Sequence, residues 1–527
     1  MTGSSAGGGR RAALSALRES GLLQPLSVAT QVSATAWWGP GTASLYSAAA
    51  QRHPNRVAVI DHKASITYGE LDRRTNRMTR GLRAMGVDHR EGVGVLCRNH
   101  IGFVVAHLVA SKLGAPVIYL NTGFAGPQLE EVVEREAIGC LIHDKEFGAT
   151  AAGLVGATTV VADDDAARPS LHFVARNRSS LPPIRSSSLS LPVLMTSGTT
   201  GTPKGARRAE VTPDLVAGTA MLQRMPYRRG DRFVIAAPLF HAWGLSQLTL
   251  AAGLAGTVVI QPRFDPKETL DAVIAHKAHV LAAVPIMLTR MLAAAEPKHR
   301  FPQLQITATS GSAVSGDLAN SWMNRFGLNL YNLYGSTEVG QATLATPMDL
   351  RRHPGTAGTV LPGTTVRVLD AHGTETAAGE IGEIHVGSPM AFDGYTGGGT
   401  KAEVDGLLSI GDVGFFNTSG QLFVTGRADD MIVSGGENVF PQEIEDLLSA
   451  HPSVTEAAVH GVADAEFGQR LRAVVVPADQ TLDADELRQH VATRLARYKV
   501  PRDFVFVDEL PRNTTGKLLR RSLGEVS

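Results

Sequence analysis

The sequence predicts an α/β protein. A large N-terminal lobe holds two α/β sheet subdomains and a small β-barrel-like subdomain, and a small α+β domain follows it. Three observations predict this. The chain has 527 residues, too many for one core at roughly 100–200 residues per domain. Short apolar runs alternate with helical stretches over most of the first 300 residues, the pattern of parallel βα units. From about residue 355 to 425 the texture changes to short strands between glycine-rich turns, the pattern of a small antiparallel sheet or barrel.

The elements follow in order. Residues 1–43 read as a flexible segment with a short helix near residues 12–20, after which an N-terminal domain spans 44–426. "RVAVID" and "GVGVLC" read as strands. "YGELDRRTNRMTRGLRAMG" reads as a helix stopped at Gly86, and "FVVAHLVASKLG" as a helix stopped at Gly114. "APVIYLN" is the next strand. "RFVIAAPL", "GTVVIQP" and "HVLAAVP" are further strands, and "FDPKETLDAVIAHKA" is a helix between the last two. "TVRVLD", "GEIGEIHVGS" and "GQLFVTG" supply the β-rich part at 355–425. A boundary falls at residues 427–430, and 431–527 read as a C-terminal domain with helices "PQEIEDLLSAHP" and "DADELRQHVATRLA".

Composition narrows the function. The 43% hydrophobic and 19% charged content excludes a disordered chain. A formal net charge of zero gives no electrostatic reason to expect nucleic acid or an anionic membrane as main partner. Two cysteines, Cys97 and Cys140, cannot build a disulfide framework; both sit in apolar runs and read as buried thiols of a cytoplasmic protein. No apolar run reaches the length of a membrane span, so no stable membrane insertion is expected. A homodimer is left open.

Four stretches carry chemistry. The first is "MTSGTTGTPKGA", residues 195–206, after a strand. Its glycines let successive backbone N–H groups point at an anion; hydroxyls of Thr196, Ser197, Thr199, Thr200 and Thr202 add donors, and Lys204 adds a mobile charge. No Gly-x-x-x-x-Gly-Lys-Ser/Thr spacing fits it, so it is not the common kinase-type phosphate loop. The second is "YNLYGSTEVG", residues 331–340, preceded by "TSGSAV". It offers an aromatic face, hydroxyls, and Glu338 as a Mg²⁺ ligand. The third, residues 411–445, holds Asp412, suited to ribose hydroxyls, Arg427, suited to ribose or to phosphate, and the tight turn "SGGEN". The fourth, "LPRNTTGKLLRR", holds Lys517 after a glycine turn. Each alone also reads as turns and solvated charge.

Together, in this order and wording, the four resemble the acyl-adenylate-forming superfamily, most of all bacterial fatty-acyl-CoA synthetases. The resemblance runs from about residue 44 to 521. It implies ATP-dependent activation of a carboxylic acid to acyl-AMP with pyrophosphate release, then transfer to CoA. A medium- or long-chain fatty acid leads as substrate. An acyl-AMP ligase, an aryl or short-chain acid–CoA ligase, and a non-catalytic nucleotide or acyl sensor are the alternatives. ATP, CoA and Mg²⁺ are the implied co-substrates and ion.

The resemblance also implies roles. Lys517, Thr337, Glu338 and Lys204 would be catalytic, with Glu338 holding the metal. Thr196, Ser197, Gly198, Thr199, Thr200 and Gly201 would hold the β- and γ-phosphates. Gly311, Ser312, Ala313, Tyr334, Gly335 and Ser336 would frame AMP, and Asp412 and Arg427 its ribose. The small C-terminal domain would be mobile about Asp429, bringing Gly435 and Gly436 to line a CoA channel. His241, in "PLFHAWGLSQLTLAAGLAG", would sit by the acid, with the run from Leu248 to Ala255 suited to an alkyl tail or, equally, to ordinary helix packing. Three departures from the family wording stand out: "RRAEVTP" after the first loop, Leu407 and Ile410 in "GLLSIGD", and the segment "TGGGTKAEVDG".

Overall fold

The computed structural model describes residues 3–163, 169–186, 188–196, 204–207, 214–434, 437–464, 468–479, 482–513 and 516–525. It is an α/β fold with a large multi-sheet N-terminal region and a smaller C-terminal α+β domain.

The largest sheet has nine strands. Its parallel core runs, in spatial order, through Leu330–Ser336, Ile306–Thr309, Val280–Ala283, Arg232–Ile235, Thr257–Ile260 and Val57–Ile60. These strands are short and apolar because both faces are covered; Val280–Ala283 is buried throughout. Antiparallel strands close both edges: Gly340–Ala345 and Thr359–Val360 on one side, Ser65–Thr67 on the other. A second sheet of seven strands is parallel from Pro192–Thr196 through Val117–Tyr119, Gly92–Leu96 and Ile138–His143 to Thr158–Val161. The helix Ile101–Leu113, packed between elements, is buried along nearly its whole length and stops at Gly114, whose φ of 75° is the left-handed cap.

The β-rich part is a five-stranded antiparallel sheet built on Leu407–Phe416. The C-terminal sheet also has five strands, with the long pair Val454–Asp464 and Gly468–Pro477 at its centre and helices Pro441–Ser449 and Ala484–Ala492 packed on it. It has its own apolar core, including Ile444, Leu448, Leu471 and Leu487. The lead segment is more ordered in outline than one short helix: two helices, Gly3–Glu19 and Pro25–Trp38, precede the helix Thr42–Arg52. Among the described residues, no helix is long and apolar enough to cross a membrane.

Cys97 and Cys140 are both buried and unbridged. Cys97, His100 and Asp144 lie close enough to suggest a metal centre. Both His100 ring nitrogens are already engaged, however: Nδ1 accepts from the Gly102 N–H at 2.9 Å and Nε2 meets Asp144 Oδ1 at 2.7 Å. The cluster caps the helix Ile101–Leu113 instead.

Candidate active site

A cavity of about 2170 Å³ opens where the strand ends of the large lobe face the C-terminal domain. That is several times the space of one drug-sized ligand, enough for a nucleotide and a second molecule side by side. Its walls include Lys204, His241, Gly311, Ser312, Ala313, Tyr334, Gly335, Ser336, Thr337, Glu338, Asp412, Arg427, Asp429 and Lys517. The residues 197–203 of the first loop and the pair Gly435 and Gly436 lie outside the described residues; so does the side chain of Thr196, which ends the strand Pro192–Thr196.

Strand pairing explains why distant sequence blocks meet. Leu330–Ser336 and Gly340–Ala345 form a tight hairpin in which Ser336 faces Gly340. A Cβ on Gly335 would lie 2.0 Å from the Gly340 carbonyl oxygen, so only glycine permits this approach. The hairpin turn carries Thr337 and Glu338, and the Ser336 hydroxyl accepts from the Glu338 N–H at 3.2 Å. Asp412 and Arg427 sit directly opposite each other on paired strands.

Asp412, Arg427 and Tyr334 form one polar group. Tyr334 donates its hydroxyl to Asp412 Oδ2 at 2.7 Å, and Arg427 Nη1 donates to Asp412 Oδ1 at 3.1 Å. Arg427 Nε also donates to Asp429 Oδ1 at 3.1 Å. Burial pushes the Asp412 carboxyl up, while the Tyr334 hydrogen bond and the charges of Arg427 and Lys517 pull it down. Burial, then the Asp412 charge, raises Tyr334 well above its usual range, so its hydroxyl stays protonated as the donor.

Glu338 faces a partner that the sequence reading missed. Tyr395 donates its hydroxyl to Glu338 Oε1 at 2.8 Å, and the Lys204 ammonium stands 5.5 Å from the centre of the Tyr395 ring. The reason is topological: the short strand Gly394–Tyr395 adds to Lys204–Arg207, opposing Tyr395 to Ala206. The signal lay in the "GYTGGGT" stretch, whose unusual wording hid a structural tyrosine. A carboxylate beside the Ser336 and Thr337 hydroxyls is a hard oxygen donor set, which fits Mg²⁺.

His241 precedes the helix Ala242–Gly253 and lies on the cavity wall. Burial pushes its imidazole down to about 4, with the Lys517 charge adding to the shift, so it is neutral near pH 7. The run Leu248 to Ala255 divides between the cavity and the core. Leu248, Ala251 and Ala252 are core residues, at 0%, 0% and 1% exposure; Ser246, Thr249, Leu250 and Gly253 face the cavity. Periodicity explains the division: a run from 248 to 255 covers all sides of a helix, and only one side lines a pocket.

Lys517 is exposed on a loop of the C-terminal domain that docks on the large lobe. A Cβ on the preceding Gly516 would lie 2.8 Å from Ile286 Cγ2. The Asn513 carboxamide oxygen accepts from the Lys517 N–H at 2.9 Å, shaping the turn. The Lys517 charge is felt by Asp412, His241 and Asp430. Behind the loop, Arg520 donates to both Glu445 oxygens at 2.6 and 2.8 Å and pairs with Asp430 at 3.1 Å, tying the chain end to the segment between lobes.

Such a site gathers cations and fixed donors around a cleft between two lobes, the arrangement of an enzyme that brings anions together. The AMP-binding enzyme family matches residues 46–396, and the AMP-binding enzyme C-terminal domain matches residues 443–517. The chain belongs to this acyl-adenylate-forming family, and its chemistry is acyl-adenylate formation. It is 35% identical over 496 residues to a feruloyl-CoA synthase of Amycolatopsis sp, covering 90% of this chain and 96% of that one. Its fold superposes on ATP-bound MatB from Rhodopseudomonas palustris with a TM-score of 0.81, at 29% identity, covering 92% and 99% of the two chains. It also matches the o-succinylbenzoate CoA synthetase of Bacillus subtilis, solved with ATP and a magnesium ion, with a TM-score of 0.79, at 28% identity over 91% and 99%.

Proposed function

We propose that this protein is an AMP-forming acid–CoA ligase whose substrate is a bulky, aryl-bearing carboxylic acid. The observation that carries the ligase reading is the convergence of Lys517 from the C-terminal domain with Asp412, Arg427 and Glu338 of the large lobe in one cavity. Two of the relatives above, named for feruloyl and o-succinylbenzoyl acids, favour an aryl acid over a plain alkyl chain. A medium- or long-chain fatty acid is the second reading, favoured by the apolar side chains of Leu245 and Leu250 along the cavity.

In the first step a carboxylate oxygen of the acid attacks the α-phosphorus of ATP. The bond to the β-phosphate oxygen breaks, and pyrophosphate leaves with that electron pair. Two anions meet here, so stabilising charge dominates. Lys517 would accompany the attacking carboxylate. Lys204 and the loop of Thr196, Ser197, Gly198, Thr199, Thr200 and Gly201 would hold the departing phosphates, and Thr337 the α-phosphate. Glu338 would hold Mg²⁺, which supplies charge neutralisation when bound. Asp412 and Arg427 would grip the ribose, with Gly311, Ser312, Ala313, Tyr334, Gly335 and Ser336 around the base. Neutral His241 would lie beside the acid carboxylate without adding repulsion or a second charge.

In the second step the CoA thiol attacks the acyl carbonyl. AMP leaves, keeping the oxygen that came from the acid. The first step reacts at the α-phosphorus and the second at the acyl carbon, so they need different groups beside one carboxyl, and we propose that the C-terminal domain turns about residues 427–430 between them. Asp429 would be the hinge, in the short turn Ala428–Asp430, and Gly435 and Gly436 would line the CoA channel after the turn. The division at 44–426 and 431–527 belongs to the same proposal.

The test is pyrophosphate release from ATP·Mg²⁺ across matched aryl and alkyl acids, with and without CoA. Turnover that rises with CoA, highest for aryl acids and yielding their CoA thioesters, is expected. Release indifferent to CoA would contradict the ligase reading; preference for dodecanoate over every aryl acid would favour the fatty-acid reading.

A further inference from the structure

Three elements meet on one surface of the large lobe: the helix Tyr68–Ala84, the segment 178–186, and the end of the helix Pro25–Trp38. The first helix packs tightly on the chain leading into the segment, since a Cβ on Gly81 would lie 2.1 Å from the Val174 carbonyl oxygen. Arg80 Nη2 donates to the Pro182 carbonyl at 2.8 Å, Arg83 Nη1 to that of Ile184 at 2.7 Å, and Asn76 Nδ2 to that of Ser180 at 3.0 Å. Arg185 Nη1 donates to the Ala36 carbonyl at 2.9 Å, which joins the segment to the third element. Pro182 and Trp37 wall the same small cleft.

The backbone of the segment is thus pinned while its apolar side chains stand outward. Leu181 is 69% exposed, Ile184 78%, and the neighbouring Trp37 47%. Single exposed apolar residues are ordinary, but these three share one held surface. Around them the charge has one sign. Arg73, Arg77, Arg80 and Arg83 recur every three or four residues along one side of their helix. Arg178 and Arg185 flank Leu181 and Ile184. Among the described residues none of these six pairs with a carboxylate. The acids of the helix lie at its start, where Asp72 meets the Lys112 ammonium at 2.8 Å. Neither residues 20–60 nor residues 166–209 include an aspartate or glutamate. The zero net charge of the chain conceals this local excess.

We infer that this surface docks the protein peripherally on an anionic phospholipid bilayer. The arginines meet headgroup phosphates, and Trp37, Leu181 and Ile184 enter the interfacial layer. Such docking needs no spanning helix. The apolar trio favours a lipid surface over nucleic acid, which rewards the arginines but gives aliphatic side chains little to bury against. A second copy of this chain, meeting the same face, would set the six arginines against one another. The inference is independent of the acid-activating reading.

Flotation with vesicles tests it, using phosphatidylcholine alone and phosphatidylcholine mixed with an equal amount of phosphatidylglycerol. The proteins are wild type, Arg73→Glu/Arg77→Glu and Leu181→Ser/Ile184→Ser. All four changed side chains are exposed, so both variants should keep the wild-type urea midpoint. Wild type is expected to float with the anionic vesicles alone, less so as salt rises. The arginine variant should bind about thirtyfold more weakly or worse, the worth of two arginines beside an anionic surface. The apolar variant should lose on the order of tenfold. No flotation of wild type with the anionic vesicles overturns the inference, as does binding unchanged in the arginine variant. Binding that survives in the apolar variant, and that single-stranded RNA competes away, would mark a general polyanion surface and overturn the assignment to lipid.

Discussion

Gly516→Ala perturbs the docking of Lys517 without touching its charge. Gly516 has a φ of 81°, the left-handed region that side chains disfavour. An added Cβ would also stand 2.8 Å from Ile286 Cγ2, closer than carbon atoms tolerate. The backbone term is roughly 1–2 kcal/mol for a non-glycine residue. It is the same in the docked and undocked states if the loop keeps its shape, so it cancels from their ratio. The contact with Ile286 exists only while the loop is docked on the large lobe. Its relief requires a small retreat of the loop or of one methyl group, a cost of about 1 kcal/mol. The ratio of docked to undocked molecules should therefore fall about fivefold or somewhat more. The assay separates the halves: acid-dependent pyrophosphate release for adenylation, and CoA-dependent consumption of supplied acyl-AMP for thioester formation. Adenylation should fall about five- to tenfold and thioester formation by less than twofold. Equal falls in both, or none in either, would refute the claim that this docked arrangement serves the first step alone.

Three further predictions concern other parts of the site. Glu338→Gln keeps the Tyr395 hydrogen bond but removes the negative charge, so adenylation should drop on the order of a hundredfold and need more Mg²⁺ for half-saturation; an unchanged Mg²⁺ dependence would remove Glu338 as its ligand. His241 carries a pKa lowered from 6.5 to about 4, so between those values the unfolded chain binds the proton that the folded chain refuses. Relative to His241→Gln, wild type should then lose roughly 2–3 kcal/mol of stability as pH falls from 7 to 4.5, read by urea unfolding at each pH; parallel profiles would show that the imidazole is not held neutral by burial. Arg520→Ala leaves the Glu445 carboxylate, 8% exposed, without its cation, and should cost about 3 kcal/mol in unfolding of the C-terminal domain; a loss below 1 kcal/mol would mean that Glu445 finds other cover.

The elements that sequence patterning made plain are those whose period is set by burial on two faces. "GVGVLC" and "HVLAAVP" could hardly be anything but buried strands, and the helix ending at Gly114 announced its own stop. Asp412 and Arg427, singled out as a pair for one sugar, do stand on facing strands in one cavity. What sequence could not show was contact between blocks far apart in the chain. Tyr395 reaches Glu338 only because a two-residue strand adds to the sheet edge at Lys204–Arg207, and no local pattern encodes that addition. The helix after His241 shows the same limit in miniature, since composition named an apolar run but not which side of it met the cavity.

The measurement that bears most directly on the account is the fate of the acid's oxygen. The protein would be incubated with ATP·Mg²⁺, CoA and an acid labelled with ¹⁸O in both carboxylate positions, and the AMP examined by mass spectrometry. Attack of the carboxylate on the α-phosphorus predicts one ¹⁸O in each AMP formed, with the other retained in the thioester. AMP free of label would mean that water, not the acid, attacks ATP, and would contradict the proposed mechanism at its first step.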